Sequence, residues 1–403
     1  MKYWFSLALT AALAALPAVA QLDGKALTVK GGKTDAAFVP VTLDYSGPAA
    51  EGKIVVTNKD GKDACPATLH DGKLTFILDK LKAGQEKELT VKVEKADTPR
   101  VLLTPKPDGK IIDVTIDGKL LTAYYYGADW KKPFLWPINS EGGVTLTRDY
   151  PMDGNDKPKD HHHHKSMWSS YGDVNGADCW MEEEGGGFQK ALDVTFGSGD
   201  AYGWILSKDV WTDKDGKTVV GEEREYRFYA VPEKGRYIDE RIVFTATDGD
   251  VKFGDTKEGG IVSLRMRGDI SGAGKAVITN ALGDRGEKTL WGKPSPWCDF
   301  SGDVPKAGMR GIAVFDNPSN LRYPTSWHVR EYGLMGANCF GYSHFSKEAY
   351  NKGLMPENGD YLLKKGDALA FNYRVYIHVG DAGKAKVADR YADYITPPTA
   401  AWK

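Results

Sequence analysis

The chain contains the dipeptide Asp-Gly eight times, at Asp23, Asp60, Asp71, Asp108, Asp117, Asp153, Asp215 and Asp248. Both residues tolerate a left-handed backbone, so Asp-Gly between apolar runs favours the tight turn that joins two antiparallel strands. The flanking runs have the matching period of two. Lys73–Leu78, Glu88–Val93, Arg224–Val231, Arg241–Thr245, Ile261–Met266 and Phe371–His378 all alternate apolar and polar side chains. Helical spacing arises only near the end, where Val387, Tyr391 and Ile395 recur every fourth residue before Pro397-Pro398. The pattern predicts an all-β chain with one C-terminal helix.

Length and composition divide that chain. At 403 residues it has room for roughly two or three domains. Residues 1–20 read as a signal peptide: Met1-Lys2 is a short positive start, Trp4–Leu16 an apolar run, and Ala18-Val19-Ala20 a small-x-small cleavage site. Export to a periplasm or beyond the cell is the expectation, with no membrane span in the mature chain. Residues 21–107, Lys-rich and without Trp, predict a small β-sandwich of about seven strands. Residues 108–403 hold ten of the 11 tryptophans and seven of the eight histidines. They predict a large two-sheet sandwich of supersandwich or jelly-roll type, and any chemistry belongs there.

Charge and cysteine usage narrow the function. Lys and Arg total 53 against 55 Asp and Glu, which leaves no basic footprint for nucleic acid. Cys65, Cys179, Cys298 and Cys339 form no C-x-x-C unit, so a zinc ribbon or thioredoxin motif is not expected. Three disulfide pairings or four buried thiols both remain open. P-loop, H-E-x-x-H and G-x-S-x-G motifs are absent, and no cofactor is implied.

Three segments concentrate polar chemistry among rings. The first runs from Asp160 through His161, His162, His163 and His164 to Trp168, and on through Asp173, Asn175 and Asp178 to Trp180. If extended, it puts His161 and His163 on one face and His162 and His164 on the other. Imidazole suits acid–base work near neutral pH, and a His-x-His pair can chelate metal; without a third ligand at diagnostic spacing, proton chemistry is expected instead. The second is Trp327-His328-Val329-Arg330-Glu331-Tyr332, where alternation aligns His328, Arg330 and Tyr332. The third is the charged turn Asp255–Gly260, in which Glu258 precedes a strand. A carboxyl with raised pKa among rings would serve as a general acid.

These motifs, in the order Asp-His-His-His-His-Lys-Ser-Met-Trp, Gly-Asp-Val-Asn-Gly-Ala-Asp-Cys-Trp, Asp-Thr-Lys-Glu-Gly and Trp-His-Val-Arg-Glu-Tyr-Gly, resemble an exported bacterial family called methane oxygenase PmoA-like. The resemblance spans about residues 108–400 and departs at His162, where the family tends to have Pro, and at Lys165, where it tends to have Arg. It implies carbohydrate metabolism outside the cytoplasm. Methane oxygenase activity itself does not suit a mature chain without a spanning helix.

Sugar rings bind by stacking their C–H faces on aromatic rings while Asp, Asn, Arg and His read the hydroxyls. The expected function is therefore an exported carbohydrate-active protein that cleaves or processes a glycan by acid–base chemistry in an aromatic-lined cleft. Expected catalytic groups are Glu258 as acid and His163 as base, with His328 and Asp173. His161, His164, Trp168, Asn175, Asp178, Trp180, Trp327, Arg330 and Tyr332 are expected to bind substrate. The alternatives are a non-catalytic glycan binder and a metal-dependent enzyme using the His run.

Overall fold

A computed structural model describes residues 22–403 except 59, 108–109, 155–158, 273–274 and 349–357. The expected signal peptide lies outside the described residues. The chain is mostly β, in large antiparallel sheets, and no helix among the described residues is long and apolar enough to cross a membrane.

Two of the Asp-Gly pairs close tight hairpins. Asp71-Gly72 joins β4 (Cys65–His70) to β5 (Lys73–Leu81), and Asp117-Gly118 joins β8 (Ile111–Ile116) to β9 (Lys119–Tyr125). All four residues have positive φ, between 48° and 76°, the geometry of a two-residue hairpin turn. These strands belong to different sheets. β4 and β5 join β1 (Ala26–Lys30), β2 (Ala36–Asp44), β3 (Lys53–Thr57) and β6 (Glu86–Glu94) in a sheet completed by β27 (Thr399–Trp402), in the order β2-β5-β4-β3-β6-β1-β27. The sheet curls around its own core, which includes Leu27, Val41, Phe76 and Leu89.

Residues 21–107 hold β1 to β7, but the N-terminal sheet is not drawn from that stretch alone. β7 (Val101–Lys106) pairs with β8 in the next sheet, and the last strand of the chain returns to pair with β1. Both choices depend on long-range pairing, which local periodicity does not encode.

The large unit is a sandwich of two eight-stranded sheets. The first runs β23 (Trp327–Arg330), β24 (Leu334–Ala337), β19 (Gly259–Arg265), β13 (Met167–Tyr171), β10 (Phe134–Leu135), β9, β8, β7. The second runs β14 (Phe188–Gly197), β15 (Tyr202–Thr212), β16 (Thr218–Tyr229), β17 (Gly235–Thr245), β26 (Ala368–Val379), β22 (Gly308–Asp316), β21 (Trp297–Val304), β20 (Val277–Asn280). Alternate side chains of both sheets, such as Val114, Leu264, Ile238 and Val375, form one core between them. Short pairs, β11 (Asn139–Ser140) with β12 (Val144–Thr145) and β18 (Val251–Phe253) with β25 (Tyr361–Leu363), lie outside the two sheets.

Helices are short: α1 (Glu287–Leu290), α2 (Tyr342–Glu348) and α3 (Val387–Ile395). α3 is the C-terminal helix that the fourfold spacing predicts, and it buries Val387 and Tyr391. All four cysteines are buried free thiols. Burial pushes the Cys65 thiol up to about 11 and the Cys179 thiol up to about 12, so both stay protonated.

Candidate functional site

The histidine run is not extended. His161 has φ of 43°, and the His164 amide donates to the His161 carbonyl at 2.9 Å, closing a turn. Arg148 holds that turn from below by donating to the carbonyls of His161 and His164. The turn replaces the alternation expected of the run: His161 stacks on His164 with ring centroids 4.9 Å apart, and on Tyr332 at 5.1 Å. His163 meets His164 edge-on at 4.4 Å.

From this turn the rings continue over the outer face of the first large sheet. His164 stacks on Trp168 of β13 at 5.3 Å, Trp168 packs on Trp180 at 5.4 Å, and Trp180 reaches His328 of β23 at 6.5 Å. Trp168, Trp180, His163, His164 and His328 are all buried, while His161 reaches solvent. The site is therefore a covered cluster rather than an open cleft. Four ring nitrogens in it, His163 Nδ1, His328 Nδ1, Trp168 Nε1 and Trp180 Nε1, are buried without a hydrogen-bond partner.

Burial sets the charge state. It pushes the His163 imidazole down to about 2, helped by the nearby Lys132 cation, and the His328 imidazole down to about 3, helped by Arg330. His164 is lowered by burial and by its neighbours His163 and Arg265. All three are neutral at physiological pH. This revises the role expected of His163, since an imidazole so hard to protonate is a weak general base.

Charged side chains outside the expected site residues frame the rings. Arg265 lies 4.4 Å above the Tyr332 ring centroid and bonds His164 Nδ1 at 3.0 Å and Asp160 at 2.9 Å. Burial raises the Asp160 carboxyl, but Arg265, His161 and Arg148 outweigh it and hold it below its usual range. Two buried lysines share the Glu182 carboxylate, Lys132 at 3.2 Å and Lys165 at 2.8 Å. Burial lowers the Lys165 ammonium to about 8, against the pull of Glu182. Lys132 and Arg148 lie outside every quoted motif, and their only signal is a basic residue next to an apolar run.

Other expected members sit at the edge of the cluster or away from it. Glu258 pairs with Lys257 in the turn above His328, whose ring lies against the carbonyls of Lys257 and Gly259. Burial raises the Tyr332 phenol to about 12, and the Glu258 carboxylate adds to that shift. Arg330 donates to Glu287 at 2.8 Å and lies over Trp291, at the far side of His328. Trp327 points the other way, since alternation along β23 sends it into the inter-sheet core, where Nε1 donates to the Ser295 carbonyl at 2.8 Å.

The polar residues between Trp168 and Trp180 build turns. Asp173 accepts from the Gly176 amide, and Asn175 bonds the backbone of Asp250 and Lys252. Asp178 accepts from the amides of Trp180 and Met181, which makes it the residue that aims Trp180. Asp173 was expected among the catalytic groups and Asn175 and Asp178 among the substrate contacts; one side-chain oxygen of each accepts from backbone. Among the described residues no group of three or more His, Cys, Asp and Glu is arranged to hold a metal ion.

A second titratable cluster, invisible in the sequence reading, is buried between the sheets. Arg224 donates to Glu222 at 2.5 Å, and Ser169 donates to Glu240 at 2.8 Å. Burial pushes the Glu240 carboxyl up to about 7 and raises Asp209 as well.

Comparison with known proteins finds one family model, DUF6807, described as a family of unknown function, which matches residues 111–392. The match covers the large sandwich except β7, reaches into α3, and lends no support to the PmoA-like name. No curated protein matches the chain.

Proposed function

The chain belongs to the DUF6807 family, and from that premise we propose that it recognises a carbohydrate at the ring cluster on the outer face of the first large sheet. The observation that carries this reading is one connected series of rings that reaches solvent at His161 and Tyr332 and runs inward to four unpartnered ring nitrogens, His163 Nδ1, His328 Nδ1, Trp168 Nε1 and Trp180 Nε1, which a sugar meets only when the covering turn opens. A buried polar atom left unbonded costs about 1–3 kcal/mol. Sugar hydroxyls both donate and accept, so they can satisfy indole N–H and neutral imidazole together, while the rings take the C–H faces. Neutral imidazoles fit this better than charged ones, because no ion must be desolvated when the ligand enters.

A second reading, processing of the bound sugar by acid–base chemistry, is favoured by one observation. Glu258, Tyr332 and His161 lie where the buried cluster meets solvent, with Glu258 close enough to influence the Tyr332 phenol. There Glu258 would be the proton donor.

Calorimetric titration with a panel of oligosaccharides tests recognition. Trp180→Phe keeps a ring and removes the N–H, so it should weaken binding about tenfold, one charge-neutral hydrogen bond, with little change in melting temperature. Unchanged affinity in Trp180→Phe and in His163→Ala would remove the ring cluster from recognition. Glu258→Gln should keep binding and abolish turnover; full turnover in that variant would sink the catalytic reading alone.

A further inference from the structure

We propose that the groove between β2 and the approach to α3 is a separate binding site for an acidic saccharide, one that carries carboxylate or sulfate groups. Two adjoining cavities, of about 390 and 500 Å³, share Ala37, Lys386 and Arg390. Each lies within the roughly 300–1,000 Å³ range of small-ligand sites. No residue of the ring cluster lines them.

The groove is basic although the chain as a whole carries a formal charge of −2. The N-terminal sheet contributes Lys80, Lys82 and Lys87, and the other wall contributes Lys234, Lys384, Lys386 and Arg390. Against these seven cations the lining holds two carboxylates, Asp35 and Asp389. Asp35 is already taken by Lys82 at 2.6 Å, Lys87 pairs with Asp63 at 3.5 Å, and Arg390 pairs with Asp393 at 2.9 Å. Lys80, Lys234, Lys384 and Lys386 are exposed and have no ion-pair partner among the described residues. The four unpaired ammoniums along one concave surface favour an anion placed between them.

An aromatic residue is forced into the same groove. Phe38 has φ of 53°, a conformation that a bulky side chain rarely adopts, and the residue is 37% exposed where it lines the wall. Its neighbours Ala37 and Val39 keep their pairing with β5, and Arg390 donates to the Ala37 carbonyl at 2.6 Å. The strand is thus clamped on both sides of a strained residue whose ring is offered to the groove.

Lysines spread around one ring suit a chain whose sugar faces stack on Phe38 while its dispersed acidic groups meet point charges. A nucleic acid would instead call for a continuous basic stripe on a basic chain, which the charge balance does not supply.

The test is titration of the full chain with a short oligogalacturonate, a heparin-derived oligosaccharide, a neutral glucan oligomer and single-stranded DNA. One of the two acidic saccharides should bind, more weakly as salt rises, and the neutral glucan should not. Lys234→Glu with Lys384→Glu should lower that affinity about tenfold or more. Phe38→Gly should also lower it while leaving the melting temperature unchanged or higher, because glycine adopts the positive φ freely; a merely structural Phe38 would give the opposite. Absence of acidic-saccharide binding, equal binding of the neutral glucan, tighter binding of DNA, or unchanged affinity in all these variants would each overturn the proposal. His163→Ala leaves this binding intact, so its failure and that of the ring-cluster reading are read separately.

Discussion

Individual titratable residues give this protein opposing responses to pH. His163 and His328 are depressed to about 2 and about 3 by burial, so they bind protons more readily in the unfolded chain. Their contribution is fully present above the unfolded value of about 6.5 and is lost as pH falls towards the folded values. Glu240 behaves in the reverse sense. Its carboxyl is raised to about 7, so the folded state holds a proton that the unfolded chain releases. Its contribution is present below about pH 4.5 and is lost as pH rises to about 7. Glu240→Gln imitates the protonated form at every pH and keeps an acceptor for Ser169. Stability in urea, measured from about pH 4.5 to pH 7.5, should therefore fall less steeply in the variant, by on the order of 2–3 kcal/mol across that range. An unaltered slope would mean that Glu240 is ionised within the core.

Among the elements, β27 has a disproportionate role for its four residues. It covers the edge of β1 by pairing Leu27 with Trp402 and Lys30 with Thr399. Trp402 donates to the Asp44 carbonyl at 2.6 Å and packs on Tyr45, and the Lys25 ammonium sits near both rings. Truncation after Thr396 exposes the β1 edge and removes this aromatic anchor, a loss of roughly 2–3 kcal/mol on burial alone. Amide exchange in β1 and β6 should quicken in the truncated chain while β16 and β17, at the centre of the second large sheet, stay protected. Slowed or unchanged exchange in β1 would show that the strand contributes nothing to the N-terminal sheet.

For the whole molecule, stability is divided between two cores. The N-terminal sheet packs around its own cluster, and the sandwich packs around a larger one. They are joined by a smaller apolar cluster that includes Ile77 of β5, Tyr202 of β15 and Tyr391 of α3, where Thr68 of β4 accepts from the Ala201 amide, and where Arg390 of α3 bonds Ala37 of β2. A smaller unit buries a lower fraction of its surface and opens first. The four buried thiols report on this directly. None should react with a thiol reagent under native conditions, and Cys65, in the smaller core, should label at lower urea than Cys298 and Cys339 in the larger. Simultaneous labelling of all four would mean that the two cores unfold as one.

What the residues determine alone is local. Period-two alternation commits β16 and β26 to strands, Asp71-Gly72 and Asp117-Gly118 to hairpin turns, and Val387, Tyr391 and Ile395 to one helical face. Each follows from dihedral preference and side-chain spacing within a few residues, and so did the concentration of rings and imidazoles that marks the site. The partner of each strand and the direction of each side chain depended on the folded whole. Nothing local in the residues of β7 and β27 names a partner, so only the assembled sheets decided that one joins the sandwich and the other closes the N-terminal sheet. His328 and Trp327 are neighbours in one motif, yet alternation sends one to the ring cluster and the other into the core. Glu222, Arg224 and Glu240 read as the polar face of their strands, and Lys132 as a surface lysine; all are buried because another sheet or loop covers them. Burial depends on what comes to lie opposite a side chain, and that is set by contacts far apart in sequence.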